Sequence, residues 1–166
     1  GSAWAALGEA HKAIEYYDQQ LDIAREIGDR RGEGNALGGL GNARAVHGKM
    51  LKAIKCYRQS FVIHREIGDL RGEGEDLCNL GNAWAALGEG RKAIECYEQA
   101  LVVSREIGDR RGEGSALFNS AGEFNKLGDQ QEAIKQAEAA LDIFIAIESP
   151  HAGTVRRAIE EWRGVL

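Results

Sequence analysis

The chain has 166 residues, of which 43% are apolar and 28% charged, and its formal net charge is −5. It holds enough apolar residues to bury a core, and the near balance of 21 basic and 26 acidic residues excludes a disordered charged tail. The acidic balance argues against a nucleic-acid binder, and the absence of a run of about 18 apolar residues argues against a membrane span. The amino terminus lacks the pattern of a secretion signal, and three cysteines without a C-x-x-C spacing suit reduced thiols, so we expect a cytoplasmic protein.

A period of forty residues organises the chain. The run Arg-Glu-Ile-Gly-Asp occurs at residues 25–29, 65–69 and 105–109, and residues 1–40 match residues 81–120 at about two-thirds of positions. A fixed period of about 20 to 50 residues is typical of solenoids, in which each unit stacks on its neighbours to bury its apolar face.

The apolar spacing within each unit predicts two helices and no strand. In chain order, the predicted helices are a short opening segment to Leu7, then 10–27, 30–47, 50–67, 70–87, 90–107, 110–127 and 130–147, and a last helix after the Ser149-Pro150 cap. We therefore predict one all-α domain over residues 1–166, consisting of a truncated first repeat (1–28), three full repeats (29–68, 69–108, 109–148) and a capping helix (149–166) with an apolar stripe of Val155, Ile159, Trp162 and Leu166. Because the opening helix is so short, we expect the face of residues 10–27 to be partly uncovered and the chain to be a piece of a longer array.

Glycines mark the predicted boundaries. We expect left-handed helix ends at Gly28, Gly68 and Gly108, each followed by an aspartate N-cap, and turns within the helix pairs at Gly48, Gly88 and Gly128. Gly41 and Gly81 instead fall inside helices, where glycine costs about 1 kcal/mol relative to alanine, which predicts a close helix crossing.

The spacing of residues 77–97 resembles the signature of the tetratricopeptide repeats. Leu77-x2-Leu80-Gly81-x2-Trp84 is followed by Ala93-x3-Tyr97. The forty-residue period, the missing terminal proline and the I-G-D-R linkers are similar to the long-helix variety in Pins-type adaptors, kinesin light chains and bacterial signalling proteins. The resemblance implies a right-handed superhelix of helical hairpins, in which the first helix of each pair lines a concave groove that holds an extended or helical peptide.

The sequence contains no recognisable active site. It has no H-E-x-x-H motif, its four histidines are scattered, and its Arg-Gly-Glu-Gly segments lack the G-K-[ST] of a phosphate loop. Carboxylate pairs such as Glu160-Glu161 fall on helices rich in exposed charge. We therefore predict no catalytic residue, no metal and no cofactor, and a protein that is not an enzyme.

The helical phase of the first helices predicts the groove residues. The face offset from the packed stripe of Leu77, Leu80 and Trp84 carries small and polar side chains. These are Asn35, Gly38, Asn42 and Ala45 in the second repeat, Glu75, Cys78, Asn82 and Ala85 in the third, and Ser115, Phe118, Gly122 and Asn125 in the fourth.

The resemblance implies that Asn42 and Asn82 hold the backbone or the terminal carboxylate of a peptide; alternatively, they bond solvent or a neighbouring helix. A clamp for a terminal carboxylate also needs Lys or Arg on this face, which these positions lack. Arg31, Arg71 and Arg111 lie at the predicted rim, where they either attract an acidic peptide or pair with nearby Glu.

The second repeat departs from the others at two packing positions. Arg44 stands where the other repeats have Trp4, Trp84 and Phe124, and His47 stands where they have leucine. Arg44 either extends to solvent or contacts a partner.

We hypothesise a non-catalytic module that binds a protein or peptide, and neither nucleic acid nor membrane. Two alternatives stay open: a solenoid that forms homo-oligomers through its incompletely capped N-terminal end, which concentration-dependent size would reveal, and a regulatory segment of a larger signalling protein.

Overall fold

The computed structural model describes the backbone of residues 2–164 and the side chains of residues 9–164. Its helices are α1 (Ser2–Ile27), α2 (Arg30–Val46), α3 (Met50–Glu66), α4 (Leu70–Ala86), α5 (Gly90–Glu106), α6 (Arg110–Lys126), α7 (Gln130–Ala146) and α8 (His151–Trp162). Residues 2–164 contain no strand. Each helix packs on the next one in the chain, and α2 also contacts α4, as α4 contacts α6. The first helices of successive pairs therefore form one layer of an all-α solenoid, as predicted.

The predicted helix boundaries are confirmed by their caps. Gly28, Gly68 and Gly108 have φ angles of +72°, +70° and +70°, in the left-handed region that glycine adopts without strain. Each following aspartate accepts a hydrogen bond from the backbone amide three residues on, at 2.8, 3.1 and 2.9 Å in the three repeats. These bonds satisfy amides that the first turn of a helix leaves without a partner.

The glycines inside α2 and α4 mark close helix crossings, as predicted. A Cβ atom on Gly41 would overlap the ring of Tyr57, and a Cβ atom on Gly81 would overlap the ring of Tyr97. Both glycines and both tyrosines are buried. The missing side chain therefore creates the space in which the aromatic ring of the paired helix lies.

The structure corrects one boundary. We expected a turn at Gly8 between two helices, but α1 runs without a break from Ser2 to Ile27. At the equivalent Gly48 and Gly88 the φ angles are +74° and +77°, and the two helices on either side pack along each other. The segment before Gly8 has only seven residues, which is too short for a second stable helix that packs along the first. The side chains of Trp4 and Leu7, and Leu166, lie outside the described residues.

The core lies between the helix layers and continues to α8. Val155 and Ile159 of this last helix are buried against Leu117 and Phe144. These two residues of the predicted apolar stripe are therefore confirmed. The helix begins at His151, whose backbone amide donates to Ser149 Oγ at 3.3 Å. The predicted Ser-Pro start is therefore correct to within one residue.

Candidate functional site

We define the groove as the face shared by α2, α4 and α6. One pocket of this groove is surrounded by Asn42, Ala45 and Asn82. This Asn42 pocket has a volume of about 360 Å³. Its other lining residues come from the same two first helices and from the start and middle of α3, and they are Val46, Met50, Tyr57, Asn79 and Ala83. The structure thus brings two equivalent asparagines from adjacent repeats to one depression.

Arg71, Glu75 and Cys78 line a second pocket, which we call the Ser104 pocket. Its volume is about 290 Å³, and it lies where α4 meets the end of α5 and the first turn of α6. The remaining lining residues are Gly74, Asn79, Ser104, Ile107, Asp109 and Gly112. Charged side chains of both signs therefore lie at this part of the groove, beside Cys78 and Ile107.

Ser115 and Phe118 line a third pocket, of about 270 Å³, between α6 and α8. It also includes Phe144 and His151, whose rings have centroids 5.6 Å apart. On another side of Phe118, the ring of Trp162 stacks at 6.4 Å. Aromatic side chains thus lie at the end of the groove, where the other two pockets have asparagines or charged groups.

The other predicted groove residues line none of these three pockets. Asn35 is exposed and contacts His64, and Arg111 is exposed at the start of α6. The small and amide side chains that are half-buried on the same helices are Gly38, Ala85, Gly122 and Asn125. Helical phase therefore predicted some residues that line a pocket and others that line none of these three.

Arg44, for which the sequence left open an extension to solvent or contact with a partner, packs against second helices. Its Nη1 atom donates to Cys56 Sγ at 2.9 Å, and its Nη2 atom is 4.0 Å from Asp18 Oδ1. Cys56 and Asp18 belong to the second helices α3 and α1. The arginine thus fills the packing position that Trp84 occupies in the next repeat, with its charge turned toward Asp18.

Hydrogen bonds to neighbouring helices orient the two groove asparagines. The hydroxyl of Tyr57 donates to Asn42 Oδ1, and that of Tyr97 donates to Asn82 Oδ1, both at 2.8 Å. Burial raises the pKa of Tyr57 to about 12 and that of Tyr97 further, so both hydroxyls keep the proton that they donate. The carbonyl oxygens are occupied by these bonds, and the amide NH2 groups are left for the groove.

Sequence reasoning missed several contributors to the groove. Tyr57 and Tyr97 orient the asparagines, and Asn79 lines both the Asn42 pocket and the Ser104 pocket. A signal for the tyrosines was present, because each follows its asparagine by fifteen residues in two successive repeats. A weaker signal was present for Asn79, because its equivalent is Asn119, which lines the third pocket, in the next repeat but Gly39 in the preceding one.

A buried polar cluster lies beside the groove between α2, α3 and α4. His64 Nδ1 is 2.7 Å from Asp76 Oδ2, and Nε2 is 3.3 Å from Asn35 Oδ1. Ser60 Oγ donates to the carbonyl oxygen of Gly34 at 2.8 Å and is 3.4 Å from the same Nδ1 atom. In a hydrolase triad, serine and carboxylate contact opposite nitrogens of the ring. Here both contact Nδ1, so the arrangement suits a structural cluster.

The rim arginines behave differently in successive repeats. Arg31 Nη1 is 2.9 Å from Oδ2 of Asp69, the N-cap of α4. In the described part of the chain, no equivalent ion pair joins Arg71 to Asp109, the N-cap of α6. Arg31 is therefore neutralised by an aspartate of the next repeat, rather than by a glutamate.

The described helices include none that is both long and apolar enough to span a bilayer. Between residues 9 and 164, no three His, Cys, Asp or Glu side chains are grouped in a way that would hold a metal ion.

A known human protein is related in sequence to a short stretch of this chain. The human G-protein-signaling modulator 1 is 48% identical over 46 residues, which make up 28% of this chain and 7% of that protein. The aligned stretch is longer than one forty-residue repeat. The similarity therefore covers a small part of this relative's length.

Solved structures from three sources share the fold. BtubC (BKLC) from P. vanneervenii superposes with a TM-score of 0.76 and 20% identity, over 98% of this chain and 66% of that chain. A putative kinesin light chain from Podosopora anserina gives a TM-score of 0.77 and 17% identity, over 98% and 83%. A signal transduction ATPase with a tetratricopeptide repeat sensor from Pyrococcus horikoshii gives 0.78 and 22%, over 96% and 25%.

The family model of the tetratricopeptide repeat matches residues 1–66 and 76–146. This range contains the helix pairs, their glycine crossings and the layer of first helices described above. The chain belongs to the tetratricopeptide repeat family.

Proposed function

We propose that this chain is a non-catalytic binding module that holds a peptide or a segment of another protein along the groove of α2, α4 and α6. Tetratricopeptide repeats generally mediate protein–protein interaction. The observation that carries the proposal is the pair of equivalent asparagines, Asn42 and Asn82, whose carbonyl oxygens are fixed by tyrosines and whose NH2 groups are left for a ligand. A peptide backbone offers carbonyl oxygens that match such donors.

The three pockets support binding of an extended ligand. They follow one another along the first helices, from the Asn42 pocket through the Ser104 pocket to the one at Phe118. Asn79 belongs to the first two, which makes them adjacent. A ligand that crosses the repeats would therefore meet amide donors first, then charged groups, and then aromatic rings.

The decisive experiment replaces the two amide donors without disturbing the tyrosines. In an Asn42→Asp, Asn82→Asp double variant, a carboxylate oxygen still accepts from each tyrosine, while the free NH2 donor becomes an acceptor. The matched control is Gln19→Glu with Gln99→Glu, which makes the same charge change at exposed positions of α1 and α5. Partners captured from an extract of the source cells are identified, purified and measured by calorimetry against all three proteins.

Groove binding predicts that the parent and the control bind the same partner and that the double variant binds it at least tenfold more weakly. Circular dichroism checks that the helices of the variants are intact. Equal affinity for all three proteins would place the binding surface outside the asparagine face and contradict the proposal.

A second candidate function is self-association through α1, which is supported by apolar side chains that this helix exposes. Tyr16, Ile23 and Ile27 are 56%, 50% and 70% exposed. Apolar groups of this size on one helix favour association with a similar surface. Light scattering over a hundredfold range of concentration tests this alternative, and a constant monomer mass at every concentration would reject it.

A further inference from the structure

The Ser104 pocket occupies a position that a side chain of the protein fills in the preceding repeat. At the junction of α2, α3 and α4, the ring of His64 lies so close to two glycines that a Cβ atom on Gly34 or Gly72 would come within 2.7 or 2.6 Å of it. At the junction forty residues later, the equivalent of His64 is Ser104. The space beside this smaller side chain is part of a pocket of about 290 Å³. In the preceding repeat, the equivalent space thus accommodates a planar ring with two nitrogen atoms.

The groups around the two equivalent positions differ in charge. His64 Nε2 lies 3.3 Å from the amide oxygen of Asn35, whereas the Ser104 pocket has the carboxylate of Glu75 at that position. In the described part of the chain, Glu75 forms no ion pair. Asp76, the other partner of His64, is replaced by Ala116. A donor placed in the Ser104 pocket would therefore meet one free carboxylate in place of a neutral amide.

Two of the three charged side chains that line this pocket, Glu75 and Asp109, are acidic, and the third is Arg71. The pKa of the Cys78 thiol is raised to about 11, first by burial and then by the charges of Asp109 and Glu75. Arg71 also lines the pocket, and in the described part of the chain it forms no ion pair with Glu75 or with Asp109. The two carboxylates outnumber this one cation, which favours a cationic occupant beside Glu75.

We propose that the Ser104 pocket is a subsite for a basic side chain of the bound partner, which Glu75 holds through a charge-assisted hydrogen bond. This inference rests on the groove-binding function proposed above and adds the chemistry of one ligand position. The partner segment that it implies carries an arginine, lysine or histidine opposite the junction of α4, α5 and α6.

The test uses N-acetyl-arginine amide as the probe and the nitrogen-15 labelled chain as the target. Amide signals are followed by nuclear magnetic resonance while the probe is added, with N-acetyl-glutamate amide and N-acetyl-leucine amide added in parallel. The expected result is saturable shifts at Glu75, Cys78 and Gly112 with the arginine probe, at least fivefold larger than with the other two. Shifts at these residues with the glutamate probe alone would assign the site to anions bound by Arg71 and overturn the proposal, as would no saturable shift at all.

Two variants and one control identify the groups involved. Glu75→Gln removes the charge at nearly constant shape and is expected to weaken arginine binding at least fivefold. Ser104→Leu fills the pocket and is expected to abolish the shifts, with circular dichroism as the check of folding. Glu95→Gln changes an exposed carboxylate of α5 and is expected to leave them as they are. Equal binding by the Glu75 and Glu95 variants would also overturn the proposal.

The titration needs no natural partner, so its outcome is independent of the capture experiment. A failed titration combined with loss of capture by the asparagine variant would reject the subsite and leave the groove in place. Saturable binding of the arginine probe combined with equal capture by the parent, the control and the asparagine variant would reject the asparagine face as the surface that binds the natural partner.

Discussion

His64 Nδ1 lies 2.7 Å from Asp76 Oδ2, and both side chains are almost completely buried. Burial raises the pKa of Asp76 to about 6, more than the hydrogen bonds from His64 and Ser60 lower it. A carboxyl group with a raised pKa binds its proton more readily in the folded state than in the unfolded state. Its contribution to the free energy of unfolding therefore decreases as the pH rises from about 4 to about 6.

The Asp76→Asn variant removes this titration. Between pH 4 and pH 7 we expect the free energy of unfolding of the variant to rise relative to that of the parent, because only the parent loses stability as Asp76 gives up its proton. Urea unfolding at a series of pH values measures the difference. Asp142→Asn changes an exposed carboxyl group of α7 and should give a curve parallel to that of the parent. If the difference in unfolding free energy between the Asp76 variant and the parent stays constant over this pH range, the contacts with His64 and Ser60 outweigh burial in setting the pKa of Asp76.

The crossing of α4 and α5 predicts a large cost for one added methyl group. In Gly81→Ala, the new Cβ atom would overlap the ring of Tyr97, which is itself buried. We expect a loss of about 1–3 kcal/mol in the free energy of unfolding, as for other overpacked cores.

Gly122→Ala is the matched control for this crossing, because no atom lies within 4 Å of its Cβ position in the middle of α6. Alanine is the better helix former, so this change is expected to stabilise by about 0.5–1 kcal/mol. Chemical denaturation of both variants measures the two effects. Equal effects on stability would contradict the close contact at Gly81.

The N-cap of α7 gives a third prediction. Asp129 accepts a hydrogen bond from the amide of Glu132 at 3.1 Å, and Asp129→Ala should cost about 1 kcal/mol. Glu89 is the N-cap of α5 and makes no capping bond with its side chain, so Glu89→Ala should cost far less. Thermal unfolding followed by circular dichroism compares the two variants, and a larger loss at Glu89 would contradict the assignment of the caps.

The end of the solenoid depends on Phe144, whose side chain is 2% exposed and packs among the residues that join α7 to α8. Phe144→Ala is expected to cost about 3–5 kcal/mol through lost burial and the cavity that remains. Ile145→Ala removes a neighbouring side chain that is 49% exposed, and its cost should stay well below that of the buried position. The midpoints of urea unfolding measure both costs, provided that the variants share the same dependence of unfolding free energy on urea concentration. A larger cost for Ile145→Ala than for Phe144→Ala would place the core on the other face of α7.

Much of the fold could be predicted because its determinants are local and repeated. The left-handed glycines, the aspartate caps and the forty-residue period are visible as residue types at fixed intervals, and the structure confirms them. The continuous α1 helix was missed, because the turn at Gly48 and Gly88 depends on packing between two full helices as well as on the glycine. Residue type alone does not carry that information.

The candidate site could be predicted only as a face. Helical phase identified Asn42, Asn82, Glu75 and Cys78 as residues on one side of the first helices, and these four line two of the pockets. Arg44 was recognised as an unusual residue at a packing position, but the sequence did not show that Cys56 on α3 and Asp18 on α1 are its neighbours. Pockets arise from differences in side-chain size among three elements, which a single helical pattern does not contain.

The order of packing also determines how the chain responds to force. Each helix packs mainly on the next one in the chain, and among the described residues α1 and α8 share no interface. Tension applied to the two ends therefore acts on the junctions in series, so each junction bears the full load and the weakest one yields first. The chain would therefore lengthen in steps, as one helix pair after another unfolds, and would not unfold in a single event.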